Sequence, residues 1–434
     1  MTRPATFASF FAGSNSPVET IREDLHRHPE IAFHEFRTAS LVAEYLDDLG
    51  YAVQTGRDVM DPAAIIWPPK PDSIAKGRER ALAHGANPEW VAKMEGGLTG
   101  VVATLTRGEG PRVGFRFDID ALPVTEVEDD SHRPFVRGYN SVFKGEMHAC
   151  GHDGHTAIGV VLAQRLMADP DWQGTVKLIF QPGEEGGRGA KPMIAAGVVD
   201  DLDYLFVGHL GCLLPSGKIA MEASDFFSSI RFDVTYTGKA AHAAMGPQNG
   251  ANALLAGATA ALGMHAIARH GEEATFINVG KMVSGAARNI VAESCLLECD
   301  VRGATQEARE YMHRRALEVI QGAAVMHGCE VDINTGPEML GNENSPEAAE
   351  IIGIAAAQVA GIEEVVPSWP IGGGDDASFM IKRVRDRGGK ACYCLIGSDI
   401  DAIHHAKTFD FDETALEQGI SLFHNVAQHL LKRT

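Results

Sequence analysis

The stretch MHACGHDGHTAIGV, Met147–Val160, gathers His148, Cys150, His152, Asp153 and His155 and then turns apolar. Deprotonated Cys, neutral His and carboxylate are the side chains that hold divalent cations, and two ions close together need more ligands than one such stretch supplies. Cys150 and His152, at i and i+2, can share one side of an extended turn ahead of a helix. A thiolate there can bridge two ions, and the helix N-terminus behind it favours the anionic form of the sulfur. Downstream, IFQPGEEGG sets Glu184 beside Glu185. Adjacent side chains of an extended backbone diverge, so one of the pair can bind a metal while its neighbour faces the water held between the ions. A general base beside an activated water is what hydrolysis of an amide requires. The continuation GGRGA leaves room for a substrate.

These residues need a frame. RVGFRFD, TVKLIF, YLFVGH and ACYCLIG read as short buried strands, and between them lie helix-like runs such as TAIGVVLAQRLMA and AKPMIAAGV. That alternation predicts an α/β fold, a mainly parallel sheet sandwiched by helices. Ligands of open α/β sheets bind beyond the carboxyl ends of the strands. Asp118 and Asp120 follow RVGFRF, Glu184 and Glu185 follow TVKLIFQPG, His209 follows YLFVG, and His404 and His405 lie in the loop after ACYCLIGSD. With Cys150 and His152, five segments deliver Asp, Glu, His and Cys to one sheet edge. Each member alone has an ordinary explanation: a solvated EE, a hydrogen-bonded structural histidine, a polar helix cap. Their convergence is what points to a metal centre.

The middle of the chain reads differently. From about Phe226, FSSIRFDVTYTGK alternates like a half-exposed strand, and a helix, two strands, a second helix and the strand EVDINT follow. This β-α-β-β-α-β order predicts a smaller α+β domain inserted into the larger one. The expected division is 1–223 with 338–434, carrying a partly helical insertion at about 60–97, and 224–337.

Composition narrows the partners. Fifty-eight acidic against thirty-eight basic residues give a formal charge of −20, which repels nucleic-acid phosphates and anionic membranes, so neither is expected as a partner. An anionic substrate would need its own local Arg or Lys. No run approaches the roughly 20 apolar residues of a membrane helix, and MTRPATFASFFAGSNSP makes a poor signal peptide. Seven cysteines, an odd number scattered through apolar segments, suit reduced thiols and a cytoplasmic protein. Cys392 and Cys394, spaced C-x-C inside an apolar strand, do not suit a redox pair.

The segments MHACGHDGHTA, IFQPGEEGG, TGKAAHAA, NIVAESCLLECDVRG and GGGDDASF resemble, in order and spacing, the M20 metallopeptidase family. The resemblance is closest to its amidohydrolase branch of hippurate and indole-acetyl-amino-acid hydrolases. It runs from LHRHPEIAFHEFRTA to HHAKTFDFDE. It implies two divalent metal ions per chain, manganese or zinc, with cobalt or nickel as alternatives. Cys150 would bridge them, His152 and His209 would complete one site, and Glu185 and His405 the other. Glu184 would be the general base. His405 is preferred to His404 because its spacing to FDFDE matches the family's single histidine. Asp118 and Asp120, in the D-x-D-A-L-P segment, would orient ligands; Asp153 and His155 would support or cap, with His148 packed nearby.

The resemblance also makes the inserted domain a lid and dimerisation domain, pairing the chain as a homodimer or with a related subunit. His242 of GKAAHAA would stabilise the oxyanion in the neighbouring chain's site, against the plainer reading of a turn-capping histidine. Asn289 would hold the substrate's carboxylate, and Arg288 beside it departs from the commoner hydrophobic residue. Gly373 and Gly374 match a loop whose backbone approaches the substrate. The implied substrate is an N-acyl or N-aroyl amino acid, with aminobenzoyl-glutamate or a similar acyl-glutamate among the candidates. A dipeptidase or deacylase of the same family is one alternative. The other is a non-catalytic partner subunit or ligand-binding protein.

Overall fold

The structure, a computed structural model, describes residues 6–432. Its strands are β1 (Ala52–Thr55), β2 (Val101–Arg107), β3 (Arg112–Asp118), β4 (Gly174–Gln181), β5 (Tyr204–Leu210), β6 (Lys218–Ser224), β7 (Ser228–Thr237), β8 (Thr275–Ser284), β9 (Ser294–Gly303), β10 (Glu330–Met339), β11 (Glu364–Pro370) and β12 (Lys390–Ile396). They form an eight-stranded sheet in the order β1-β2-β4-β3-β5-β12-β6-β11 and a separate four-stranded sheet, β10-β7-β9-β8. The chain divides into two compact units. One runs up to Ser224 and resumes over Asn342–Ile371 and from Asp375; the other is Asp225–Gly341 with Gly372–Gly374.

In the larger unit β3 pairs in parallel with β4 and β5, β5 with β12, and β6 with β11. The pairs β1–β2, β2–β4 and β12–β6 are antiparallel, so the sheet is mixed, with a parallel centre. All eight residues of β4 are buried, as expected of a strand covered on both faces. The helix His152–Ala168 lies against this centre, and Gly159 allows the approach: a Cβ there would stand 2.7 Å from Phe117 and 2.8 Å from Phe180. Phe423 of the helix Thr414–Leu431 meets the rings of Phe115 and Phe117. The four buried strands legible in the sequence are β3, β4, β5 and β12. The edge strand β11 is harder to read because EVVPSWP carries two prolines, tolerated where no neighbour needs their N–H.

The helix Pro71–Ala83 lies in the insertion and is tied down by Arg80, bidentate to Glu146 at 2.7 and 2.9 Å, and by Ser73, 2.8 Å from His34. The smaller unit follows the β-α-β-β-α-β order, with helices Ala253–His265 and Gln306–His327. Every second residue of β7 and β9 is buried, so Phe232, Val234, Tyr236, Leu297 and Val301 form its core together with Ala256, Ala260, Met312 and Ile320 of the helices. Among the described residues no helix is long and apolar enough to cross a membrane.

Candidate active site

The carboxyl ends of the central strands bring the expected residues together. β3 runs out at Asp118 with Asp120 just beyond, β4 leads into the Glu184–Glu185 turn, and β5 carries His209. Cys150 enters through Gly151, whose φ of +91° starts the helix His152–Ala168. The ligand atoms of Cys150, His152 and His209 lie within 4.8 Å of one another, as do those of Cys150, Glu185 and His405. Cys150 Sγ stands 3.6 Å from His209 Nε2, and His405 Nε2 3.3 Å from Glu185 Oε1. Glu184 Oε2 is 3.9 Å from His152 Nε2.

The histidines are oriented from behind. His152 Nδ1 donates to the carbonyl of Asp120 at 2.9 Å and His209 Nδ1 to that of Leu210 at 2.8 Å. Each bond turns Nε2 toward the cluster, the orientation found behind metal-bound imidazoles. His152 Nε2 is buried without a hydrogen-bond partner, and the nearest Asp118 oxygen is 3.6 Å away. Asp118 is itself held by His155 Nδ1 at 2.5 Å and Arg116 Nη1 at 2.7 Å, while His155 Nε2 accepts the Leu210 N–H at 3.0 Å. The Asp120 carboxylate accepts the N–H groups of Glu184 at 3.1 Å and Glu185 at 2.9 Å.

Negative charge dominates here. Burial, reinforced by Asp375, Glu185, Asp376 and Asp120, holds the Glu184 carboxyl well above the usual range. Glu185 moves the other way, because His405 and His152 outweigh the effect of burial. Burial also lowers His152, yet Asp118 and Asp120 prevail and raise it to about 10. Burial, with Glu185 and Glu184 nearby, raises the Cys150 thiol. One expectation is corrected. Glu184 and Glu185 do not lie on extended backbone but in a turn, with Gly183 at φ +62° and the Gly187 N–H on the Glu184 carbonyl at 2.7 Å.

The remaining residues of the opening stretch go elsewhere. Asp153 accepts from Arg22 Nε and His26 Nδ1, both at 2.9 Å, and its other oxygen takes the Gly154 N–H at 3.0 Å. His148 is buried with neither ring nitrogen hydrogen-bonded. His404 packs beside His209 and Phe409 with Nε2 3.3 Å from the Leu210 carbonyl, and its ligand atom lies within 4.8 Å of those of His209 and Cys212. Sequence reasoning missed Cys212, which follows a glycine in a left-handed turn, and the buried Arg116. Arg116 binds both oxygens of Asp375 at 3.0 and 3.1 Å, and Tyr393 donates to Asp375 at 2.8 Å. The signal for Arg116 was a charge inside an apolar strand.

In the smaller unit His242, Arg288 and Asn289 are exposed. Their loops are joined by the Ala243 N–H on the Asn289 carbonyl at 3.1 Å and the Val291 N–H on that of Ala241 at 2.9 Å. His242 Nδ1 accepts the N–H groups of Ala244 and Met245 at 3.1 Å each. The Gly373 carbonyl takes the Phe227 N–H at 2.9 Å. A Cβ at Gly374 would stand 2.9 Å from the Met339 sulfur.

Residues 114–429 match the Peptidase family M20/M25/M40 model. The chain is an M20-family amidohydrolase. The M20 match starts within β3 and covers Cys150, His152, Glu184, Glu185, His209 and His405 as well as the whole smaller unit. Within M20 the chain is 44% identical over 398 residues, 91% of each protein, to a p-aminobenzoyl-glutamate hydrolase subunit of Escherichia coli. It is equally close, 44% over 91% of each, to indole-3-acetyl-aspartic acid hydrolase of Enterobacter agglomerans. Among solved structures it shares the fold of a dinuclear metal-binding M20 peptidase of Bacillus subtilis, with a TM-score of 0.70, 23% identity, and 98% and 99% of the two chains covered.

Proposed function

We propose that the protein is a di-metal hydrolase that cleaves the amide bond of an N-acyl or N-aroyl amino acid whose amino-acid half is acidic, such as aminobenzoyl-glutamate. The observation that carries this reading is the meeting of five donor side chains, Cys150, His152, Glu185, His209 and His405, with Glu184 beside them. The donor set fits cations: two tautomers are fixed by backbone carbonyls, and His152 Nε2 is buried and unsatisfied. Cys150 would serve both ions, His152 and His209 one, Glu185 and His405 the other. Two such ions, manganese or zinc, with cobalt or nickel as alternatives, would supply Lewis-acid activation of a water and of the scissile carbonyl.

Glu184 takes a proton from the attacking water and delivers it to the leaving amine. Asp118 and Asp120 keep the histidines and the Glu184–Glu185 turn in register. His242, with Nδ1 occupied as an acceptor, carries its proton on Nε2 and donates it to the developing oxyanion in a partner chain's site. Arg288 and Asn289 hold the carboxylates of the amino-acid half, and the Gly373–Gly374 backbone lies alongside the substrate. Acidic leaving groups are supported by the glutamate and aspartate named in the two relatives at 44% identity.

Pairing with a second copy or a related subunit is supported by β8, an edge strand that exposes Phe276, Met282 and Val283, and by Leu255 and Leu262 on the helix Ala253–His265. Seven free thiols suit the cytoplasm. The test joins metal analysis to a panel of N-acyl amino acids that includes aminobenzoyl-glutamate, indole-acetyl-aspartate, hippurate and dipeptides. Two ions per chain and fastest turnover of acyl-glutamate or acyl-aspartate are expected. Preference for dipeptides would move the substrate class, and protein that neither binds metal nor hydrolyses any member would be a binding or partner subunit.

A further inference from the structure

The turn that carries Glu184 and Glu185 is fixed through its backbone. Three buried carboxylates from three distant segments accept its N–H groups. Glu35 takes Gly183 at 2.9 Å, Asp120 takes Glu184 and Glu185 at 3.1 and 2.9 Å, and Asp376 takes Gly189 and Ala190 at 2.9 Å each. The cradle closes on itself, because Gln181, just ahead of the turn, donates to the second oxygen of Asp376 at 2.6 Å. Asp120 and Asp376 follow or precede elements of the larger unit and lie within the region that matches the family. Glu35 does not. It sits just ahead of the helix Phe36–Asp48, before the matched region, and is completely buried.

The Glu35 carboxyl also meets the backbone N–H groups of Phe33 and Glu35 in its own segment. Its second oxygen accepts from Thr99 Oγ1 at 2.7 Å, and among the described residues no cation pairs with it. Burial and the neighbouring Asp120 raise its carboxyl to about 8, so the site is an expensive place for an acid. The same segment grips the turn a second time. Phe33 packs its ring on Gly183, where a Cβ would come within 3.2 Å of it.

We infer that Glu35 is a positioning residue for hydrolysis: by accepting the Gly183 N–H it sets the conformation of the turn whose next two residues are the base and a metal ligand. This rests on the di-metal reading of Glu184 and Glu185. Glu35 is sealed from substrate and acts only through that turn. What it supplies is a fixed acceptor, not a charge. A glutamine satisfies the same partners, its oxygen on Gly183 and its nitrogen on Thr99, whose own proton can turn to the Gly97 carbonyl 3.4 Å away. A leucine of similar size satisfies neither.

Glu35→Leu and Glu35→Gln are therefore compared with wild type in three measurements: amide hydrogen exchange of the peptide spanning residues 181–190, metal affinity by chelator competition, and steady-state kinetics. In Glu35→Leu, exchange at Gly183 should accelerate. Either kcat or the affinity of one ion should fall about 10–100-fold, the usual cost of losing a group that orients a metal site, with KM little changed. Glu35→Gln should stay within about threefold of wild type in all three. If Glu35→Leu shows no cooperative melting, Glu35→Asp replaces it. Its carboxylate is one methylene shorter and cannot reach both Gly183 and Thr99, so the same losses are expected. Unchanged exchange and turnover in a folded Leu or Asp variant would overturn the inference, as would equal losses in Leu and Gln. The exchange measurement needs neither metal nor substrate. If wild-type protein bound no ion and cleaved no amide, the di-metal reading would fall, while exchange would still report whether Glu35 holds the turn.

Discussion

Two clusters of histidines and carboxylates flank the start of the helix His152–Ala168, built from the same residue types and put to opposite uses. In one, His26 bridges Asp153 and Glu126 at 2.9 Å each, and His132 meets the same Glu126 oxygen at 2.8 Å. Arg22 joins it to Tyr139 at 2.8 Å and to Asp410 at 2.6 Å. In the other stand Cys150, His152, His209, Glu185 and His405. The ligand atoms of His26, Glu126 and His132 are as close together as those of the second cluster, within 4.8 Å. What separates the two is saturation. Protons fill every gap between donor and acceptor in the first, whereas the second keeps His152 Nε2 buried and unsatisfied. Residue type and proximity are alike in the two; a ring nitrogen left facing its cluster without a hydrogen-bond partner is what separates them.

The most severe break in that comparison is Glu184→Gln. It removes proton transfer but no ligand, so kcat should fall by about 10²–10⁴ with two ions still bound; loss of metal instead would exchange the roles of Glu184 and Glu185. Next come the ligands. Cys150→Ser should weaken both ions together and His405→Ala one of them, while His132→Ala, in the saturated cluster, should leave metal content unchanged. An ion lost from His132→Ala, counted by elemental analysis, would show that the first cluster binds metal too. Third, removing one partner from a buried, hydrogen-bonded charge network costs about 3–5 kcal/mol, so His26→Leu should lower the melting temperature markedly at pH 6 and leave metal stoichiometry alone.

The smallest effect is a pH dependence. Burial pulls the pKa of His26 down, but hydrogen bonds to Asp153 and Glu126 outweigh it and raise it from 6.5 to about 9. The imidazolium therefore stabilises the fold fully below pH 6.5, and its contribution is lost as pH rises through 9. Thermal melts across that window should fall more steeply for wild type than for His26→Leu. Parallel curves would remove His26 as the titrating group.

Much of this was legible in the sequence. The period-two alternation of β7 and β9 and the helices between them gave away the smaller unit, because a half-exposed sheet writes its burial directly into its residues. Looking just beyond the end of each buried strand located Asp118, Glu184, His209 and His405, since a parallel sheet gathers those ends along one edge. The saturated cluster stayed hidden. Arg22, His26, Glu126 and Asp410 are each unremarkable in their own segments, and only the fold brings together partners 100 or more residues apart, such as His26 with Glu126. The Glu184–Glu185 turn was misread for the same reason. Its shape depends on acceptors at Glu35, Asp120 and Asp376 that no local pattern announces.

The smaller sheet bears on how such a chain arises. Its first and last strands are neighbours, and Ser229 stands directly across from Met339. The insert therefore leaves and re-enters the host chain at nearly one point. A module with adjoining ends can be gained, exchanged or lost in a single recombination event without stretching the host, since the junction it must span is no wider than a hairpin turn. The larger sheet and the domain spliced into it can thus diverge at different rates.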